Sequence, residues 1–476
     1  MGVELSLTNC RVFGQDESLD TILVSSGRIA DITDGMAMGA RRIIDLSGRL
    51  VIPGFIDSHT HLLTIGLSET RLDLSGCGSR EEAVSKTREY SSRSGASVIV
   101  GYGWDETKWG EKDYLSREDI DMIGKPVILY RKDMHMAVVN GKVLSAIGEV
   151  SRDGLLKEGD MDRIGSLAEP GTNELINAYK KGAEKAASVG ITTVRDIMST
   201  QVADTIKPLP LPVRVFRTIY GRSLDNRPMS DENSWGVKIF LDGSVGSGTA
   251  AHEGWPLDNM KFSREELDST LSSYWKSGLQ VAMHAIGEIA TSSAVTALRN
   301  QKGWIRNSIE HFEFVESEIL DEISPSTVIS SQPNFLQWSG NGGLYQNKMG
   351  NEWFGRDNPF REFLDRGFRL AFGSDSMPIG PSLGIGYAVN SPHGSQRISP
   401  VEAVRTYTAG GAYLLHEENI SGMLRPGFRA DMAVFDENYL RDAVNIGMKK
   451  PYMTFLGGVV TFSRDPGTAE KHFHFP

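Results

Sequence analysis

Eight short apolar segments recur through the middle of this chain, most of them separated by stretches with helical signals, and that alternation restricts the fold more than any other feature. They cover residues 51–57, 191–197, 213–220, 237–241, 279–285, 308–312, 327–331 and 369–375. Strands buried on both faces read as near-continuous apolar runs of this length. Helix starts lie between them: Ser263-Arg-Glu-Glu266 and Ser399-Pro-Val-Glu402 are capping boxes, the second with Pro400 at the first helical position. Residues 174–188 read as a helix ending at Gly190. The pattern predicts an α/β protein built on a (β/α)8 TIM-like barrel. A doubly wound open sheet competes, weakened by the lack of a Gly-x-Gly-x-x-Gly after the first strand.

The two ends of the chain read differently. Residues 1–50 hold short runs broken at Ser26-Gly27 and Ser47-Gly48, and residues 420–476 hold ADMAVFDEN and then MTFLGGVVTF, whose Gly457-Gly458 suits a tight hairpin. Neither end has enough strands to cover its own apolar face, so both together are expected to form one small β-sandwich, with the barrel occupying 51–419. The gap between the first and second barrel strands is too long for one βα unit. Residues 71–170, with a capped helix from Ser79, the strands SVIVGY and PVILY, and RKDMHMAVVN, read as an inserted subdomain over one mouth of the barrel.

Composition excludes several classes. Against 61 acidic residues stand 50 Lys and Arg, a net charge of −11 with no basic block, which argues against a nucleic-acid partner. Cys10 and Cys77 are too few for a disulfide framework. There is no run of about 18 apolar residues and no charged leader before an apolar stretch. The expectation is a cytoplasmic protein with a small-molecule partner and no membrane partner; a homo-oligomer is compatible with it.

Chemistry gathers at strand ends. Asp57-Ser-His59-Thr-His61 closes the first strand, and residues two apart on a strand project to the same side. His284, His311 and Asp375 end three others. Singly, each has an ordinary reading as a core histidine or a turn cap. Active sites of such barrels lie at the C-terminal ends of the strands, however, and four imidazoles with a carboxylate there suit a borderline divalent cation: Zn²⁺ first, with Mn²⁺, Fe²⁺, Ni²⁺ or Co²⁺ as alternatives.

Beyond these, the stretches VIPGFIDSHTH, GWDETKW, DMHMAVVN, GITTVRD, VKIFLDGSVGSGTA, HAIGE, IEH, FGSDSMP and GMLRPGFRADMAVFD follow one another along nearly the whole chain. In this the sequence resembles the amidohydrolase superfamily, in the branch of N-substituted formamide deformylases (amidohydrolase family 3). The resemblance implies two divalent metals, with Lys238 carboxylated by CO₂ as the bridge. His59, His61 and Asp375 would hold one metal and His284 and His311 the other. It also implies hydrolysis of a C–N bond in an amide, formamide or related substrate by metal-activated hydroxide, with Asp375 as the catalytic proton acceptor and donor.

Trp104 and His135, in matching stretches of the insertion, are candidate substrate contacts, alongside Asp105 and Trp109. Phe335, Trp338, Trp353 and Phe354 cluster after the seventh strand and favour apolar or aromatic groups on the substrate. Packing is the competing role for most of these rings. Glu288 superficially suggests the His-x-x-Glu of mononuclear deaminases, but its spacing from His284 is one residue too long, and it reads as the start of a helix. A mononuclear deaminase, or a barrel of this fold kept only as a binding protein, are the alternatives. His252, His393, His416, and His472 and His474 in the tail fall outside the matched positions, and Gly243 to Gly248 reads as backbone lining the pocket.

Overall fold

The computed structural model describes residues 2–35, 39–148, 151–221, 233–299, 301 and 305–465. Its centre is an eight-stranded parallel sheet with β1 Phe55–Thr60, β2 Ile191–Met198, β3 Arg214–Tyr220 and β4 Ser234–Phe240. These are followed by β5 Gln280–Ala285, β6 Ser308–His311, β7 Val328–Ser331 and β8 Arg369–Phe372. The spatial order is the chain order, and β8 returns to lie beside β1, so the sheet is a nearly closed barrel.

The last seam is joined just beyond β8. Asp375 N donates to His59 O (2.8 Å), and Asp57 accepts from the Ser374 amide and hydroxyl (2.9 and 2.6 Å). Gly373 makes this approach sterically feasible, since a Cβ there would stand 2.6 Å from His59 N.

The expected first strand is in fact two. Leu50–Pro53 belongs to a terminal sheet, and Phe55–Thr60 is β1. Gly54 divides them: its amide donates to Asp431 O, and a Cβ would collide with the Thr192 side chain at 2.3 Å.

The chain ends form two further sheets. One joins Arg28–Thr33, Thr21–Ser25, Leu5–Thr8 and Arg42–Asp45; the other joins Arg11–Val12, Leu50–Pro53, Met432–Phe435, Met453–Leu456 and Val459–Ser463. Leu7, Ile22, Val24, Met432, Val434 and Phe455 share one buried cluster between them. Gly457 and Gly458 make the hairpin turn with φ of 56° and 80°, as a two-residue connection requires. His472 and His474 lie outside the described residues.

Within 71–170 a five-stranded sheet runs Leu155–Lys157, Met136–Val139, Val127–Arg131, Ile99–Trp104, Leu72–Asp73. Around the barrel, Ser263 and Ser399 cap their helices as reciprocal capping boxes. Among the described residues no helix is long and apolar enough to cross a membrane.

Candidate metal centre and its surroundings

The C-terminal ends of the barrel strands bring the distant histidines together. His59 and His61, two apart at the end of β1, both present Nε2 to Asp375 Oδ1, at 3.5 and 3.2 Å. Ligand atoms of these three residues lie within 4.8 Å of one another. The other ring nitrogen of each histidine is occupied: His59 Nδ1 donates to Glu310 Oε2 (2.6 Å) and His61 Nδ1 to Ile197 O (3.2 Å). Such partners fix the tautomer whose Nε2 lone pair is available to an ion.

His284 and His311, at the ends of β5 and β6, form the adjoining half. Their ring centroids are 4.4 Å apart, and His59 is 4.9 Å from His311. His284 Nε2 donates to Gly243 O (2.9 Å), and His311 lies flat against Phe335. Burial first, and the surrounding cationic side chains second, hold His59, His284 and His311 well below the usual imidazole range, the state in which a histidine is a ligand.

Lys238, on β4, is 2% exposed, and its Nζ has no hydrogen-bond partner. Its charge acts on all four of these histidines, and its own pKa is pushed down to about 8 by burial. His311 Nδ1 is likewise buried and without a partner. Buried donors and acceptors are ordinarily satisfied, so an imidazole nitrogen left open beside a His-His-Asp cluster fits a metal ion, and an amine left open there fits one once it carries anionic oxygens. The residues present therefore fit a metal centre. The backbone is strained around it: His311, Phe312, Asp375 and Ser376 all take left-handed φ values between 49° and 70°.

One cavity reaches this centre and a second adjoins it. An inner chamber of about 30 Å³ is lined by Arg131, Asp133, His135, Glu313, Phe335 and Asp375, among others, and an outer cleft of about 630 Å³ by Asp105, Lys108, Tyr114 and Gln337. Trp338 and Leu344 line both, and so stand between them.

The insertion's contribution differs from the sequence expectation at one candidate. His135 lines the chamber, 5.2 Å from the His284 ring, and its Nδ1 donates to Glu158 (3.1 Å), which also accepts from Thr249. Trp104 is fully buried in the insertion's own core, stacked on Trp109, with its indole N–H donating to Leu129 O. We therefore correct the substrate-contact expectation for Trp104 to a packing role. Trp353 packs on Phe314, and Phe354 is 37% exposed. Glu288 begins a helix as expected, and its carboxylate takes His252 Nδ1 and Glu253 N.

Sequence reasoning missed the interior of the barrel. Arg195, in β2, is wholly buried and donates to Ser58 O (2.6 Å), Ser308 Oγ (2.9 Å) and Glu310 Oε2 (2.5 Å). Glu310 also accepts from Ser308 Oγ. The available signal was a charged residue at an inward position of an otherwise apolar strand, as in TTVRD and SIEH.

A family model described as the amidohydrolase family matches residues 42–462. The N-substituted formamide deformylase of Arthrobacter pascens is 22% identical, with 95% of this chain and 96% of that protein covered. An imidazolonepropionase of Porphyromonas gingivalis is 48% identical over 466 residues, covering 93% of this chain and 88% of its own. A solved structure described as an uncharacterized metal-dependent hydrolase from Pyrococcus furiosus superposes with a TM-score of 0.73 at 28% identity, over 92% of this chain and 99% of that one.

Proposed function

The chain belongs to the amidohydrolase family, and from that premise we propose that this metal-dependent hydrolase cleaves the C–N bond of an amide, formamide or related substrate. The observation that carries the reading is Lys238 Nζ, buried without a partner among four histidines and Asp375. His59, His61 and Asp375 would hold one divalent metal, and His284 and His311 would hold a second. Lys238 would supply anionic oxygens to both as a carbamate, formed when the Nζ lone pair bonds to CO₂ and an N–H proton leaves. Zinc is the metal best matched to this donor set.

A metal pair here supplies Lewis acidity that polarises a carbonyl and acidifies water. The chain's own residues do the rest. Asp375 Oδ1, facing both β1 histidines, takes the proton of the attacking water and returns it to the departing nitrogen. Glu310 and Ile197 O hold the imidazoles of His59 and His61 in place. Phe335, Trp338 and Leu344 exclude water from one wall. The engagement of Glu288 by His252 favours this reading over mononuclear deamination, since it gives that carboxylate a structural partner.

The test is hydrolysis of a panel of N-formyl amines by zinc-loaded protein, followed as amine release. Turnover abolished by chelation and restored by Zn²⁺ is expected. Amine release that persists in chelator, or ammonia release from aminopurines and aminopyrimidines in place of amide cleavage, would overturn it.

A further inference from the structure

The inner chamber, at about 30 Å³, has room for roughly two or three water-sized groups. A substrate larger than its reacting group therefore extends past Trp338 and Leu344, which line both cavities, into the outer cleft of about 630 Å³. The charges of the cleft decide what it offers to that far end.

Three carboxylates line the cleft, and each already faces a cation that stands behind the wall. Glu106 is held bidentately by Arg131 (2.9 and 2.6 Å). Asp105 lies 3.5 Å from Lys132 and 3.9 Å from Lys108, and Asp113 lies 3.9 Å from Arg80. Arg131, Lys132 and Arg80 are not among the cleft's lining residues, so the ammonium groups of the wall itself are in excess. Lys112 and Lys348 are exposed there, and among the described residues neither has a carboxylate within ion-pair reach. Lys348 Nζ donates to Tyr114 Oη (3.4 Å), whose own proton goes to Gly246 O (2.7 Å). Lys157 approaches the same ring, its Nζ 5.8 Å from the centroid against 5.7 Å for Lys348, and donates to Ser247 O (3.0 Å). Burial, and then the Lys348 ammonium, hold Lys157 below the ordinary lysine range, the effect of one cation on another. In a chain of net charge −11 this is a local reversal of sign.

We propose that the outer cleft is a subsite for an anionic group, a carboxylate or a phosphate, at the end of the substrate remote from the scissile bond, met by Lys112 and Lys348 beside Tyr114. This rests on the amide-hydrolase reading above. The substrate is then an amide whose apolar spacer passes Trp338 and Leu344 and ends in a negative charge. Ammonium groups act as point charges without the planar fork of a guanidinium, so the subsite reads charge and reach more than shape. Ion pairs at an open cleft are individually modest and sensitive to salt, which sets the size of the expected effect.

The probes are N-formyl-γ-aminobutyrate, N-formyl-ε-aminocaproate and N-formyl-ω-aminocaprylate, each beside its terminal primary amide, which has the same length and no charge. N-formylaminohexyl phosphate beside its free alcohol is the phosphate arm. In zinc-loaded enzyme at low salt, at least one anion should exceed its neutral partner by at least about tenfold in kcat/KM, and molar NaCl should bring that ratio below about threefold. The arm with the larger ratio identifies the anion as carboxylate or phosphate. Lys112→Met with Lys348→Met should also bring the ratio below about threefold, whereas Lys112→Arg with Lys348→Arg, which keeps both charges, should retain most of it.

Where no compound is turned over, calorimetric binding of the same pairs replaces kcat/KM. An anion that then binds at least about tenfold tighter than its neutral partner in wild type, and not in the double Met variant, would end the hydrolase reading and leave the subsite standing. Turnover of the neutral formamides with every anionic ratio near one would do the reverse. A ratio unchanged in the double Met variant, or neither turnover nor binding of any anion, overturns the proposal.

Discussion

Glu310 Oε2 stands 2.6 Å from His59 Nδ1, with both side chains shut off from solvent in the barrel interior. The contact links two strands on opposite arcs of the barrel, since His59 lies on β1 and Glu310 on β6, one residue before His311. One carboxylate thus orients a ring of one half of the centre from the strand that supplies a ring of the other. Removing its charge should loosen a bound ion, and should also cost stability because Arg195 loses its buried counter-ion. Glu310→Gln is expected to weaken metal binding about 10- to 100-fold in chelator competition. Unchanged affinity would mean that His59 is oriented by β1 alone.

Arg195 neutralises that carboxylate, and both are inaccessible to water. Deleting one member of a buried ion pair leaves a charge without compensation, at a cost of about 3–5 kcal/mol. Arg195→Leu should therefore destabilise strongly in denaturant titration. Adding Glu310→Leu should recover part of the loss, because an apolar pair no longer buries a lone charge. A double variant as unstable as the sum of the singles would contradict this.

The contrast between these residues and the candidate ligands shows what the sequence discloses. That His59, His61, His284, His311 and Asp375 would be neighbours was legible because strand ends of a barrel converge, whichever residues lie between them. Arg195 and Glu310 were not, since a charge inside an apolar run looks the same whether it faces the barrel interior or the helices. Trp104 failed for a related reason: an aromatic cluster has one composition whether its rings line a cavity or fill a core, and the indole bond to Leu129 O settles the matter. Gly54 was hidden within a continuous apolar run, where only the departure of Leu50–Pro53 to another sheet reveals the break.

Cys10 gives a pH-dependent stability with a definite sign. Burial, then the nearby Asp20 carboxylate, push its thiol up from 9.0 to about 12. A folded-state pKa above the unfolded one means that the contribution is complete below pH 9 and is lost as the pH rises from about 9 to 12, at up to about 1.4 kcal/mol per pH unit. Cys10→Ala should therefore lose less stability than wild type between pH 9 and 10.5 in matched denaturant titrations. Parallel curves would place the thiol in contact with water.

Asp375 is assigned both a ligand's and a proton acceptor's part, and substitution can separate them. Asparagine keeps an oxygen near His61 Nε2 but cannot hold the proton. Because proton transfer occurs on the way to the transition state, Asp375→Asn should lower kcat by at least about 100-fold with a much smaller change in KM. Metal content, measured on the same sample, tells the two parts apart. Normal turnover at full metal occupancy would remove Asp375 from the proton path.

The bridging part assigned to Lys238 makes the sharpest demand on the centre. An unmodified ammonium among the proposed ligands repels cations, whereas a carbamate supplies two anionic oxygens at the same place. Lys238→Ala should therefore lose metal and nearly all turnover, yet recover part of each in millimolar propionate, whose carboxylate fits the space left by the side chain. Wild-type protein loaded with ¹³C-bicarbonate and zinc should show a carbamate carbon signal that the variant lacks. Two metals bound per chain without that signal would leave the pair intact and transfer the bridge to another group, while full activity in Lys238→Ala would remove the lysine from the centre altogether.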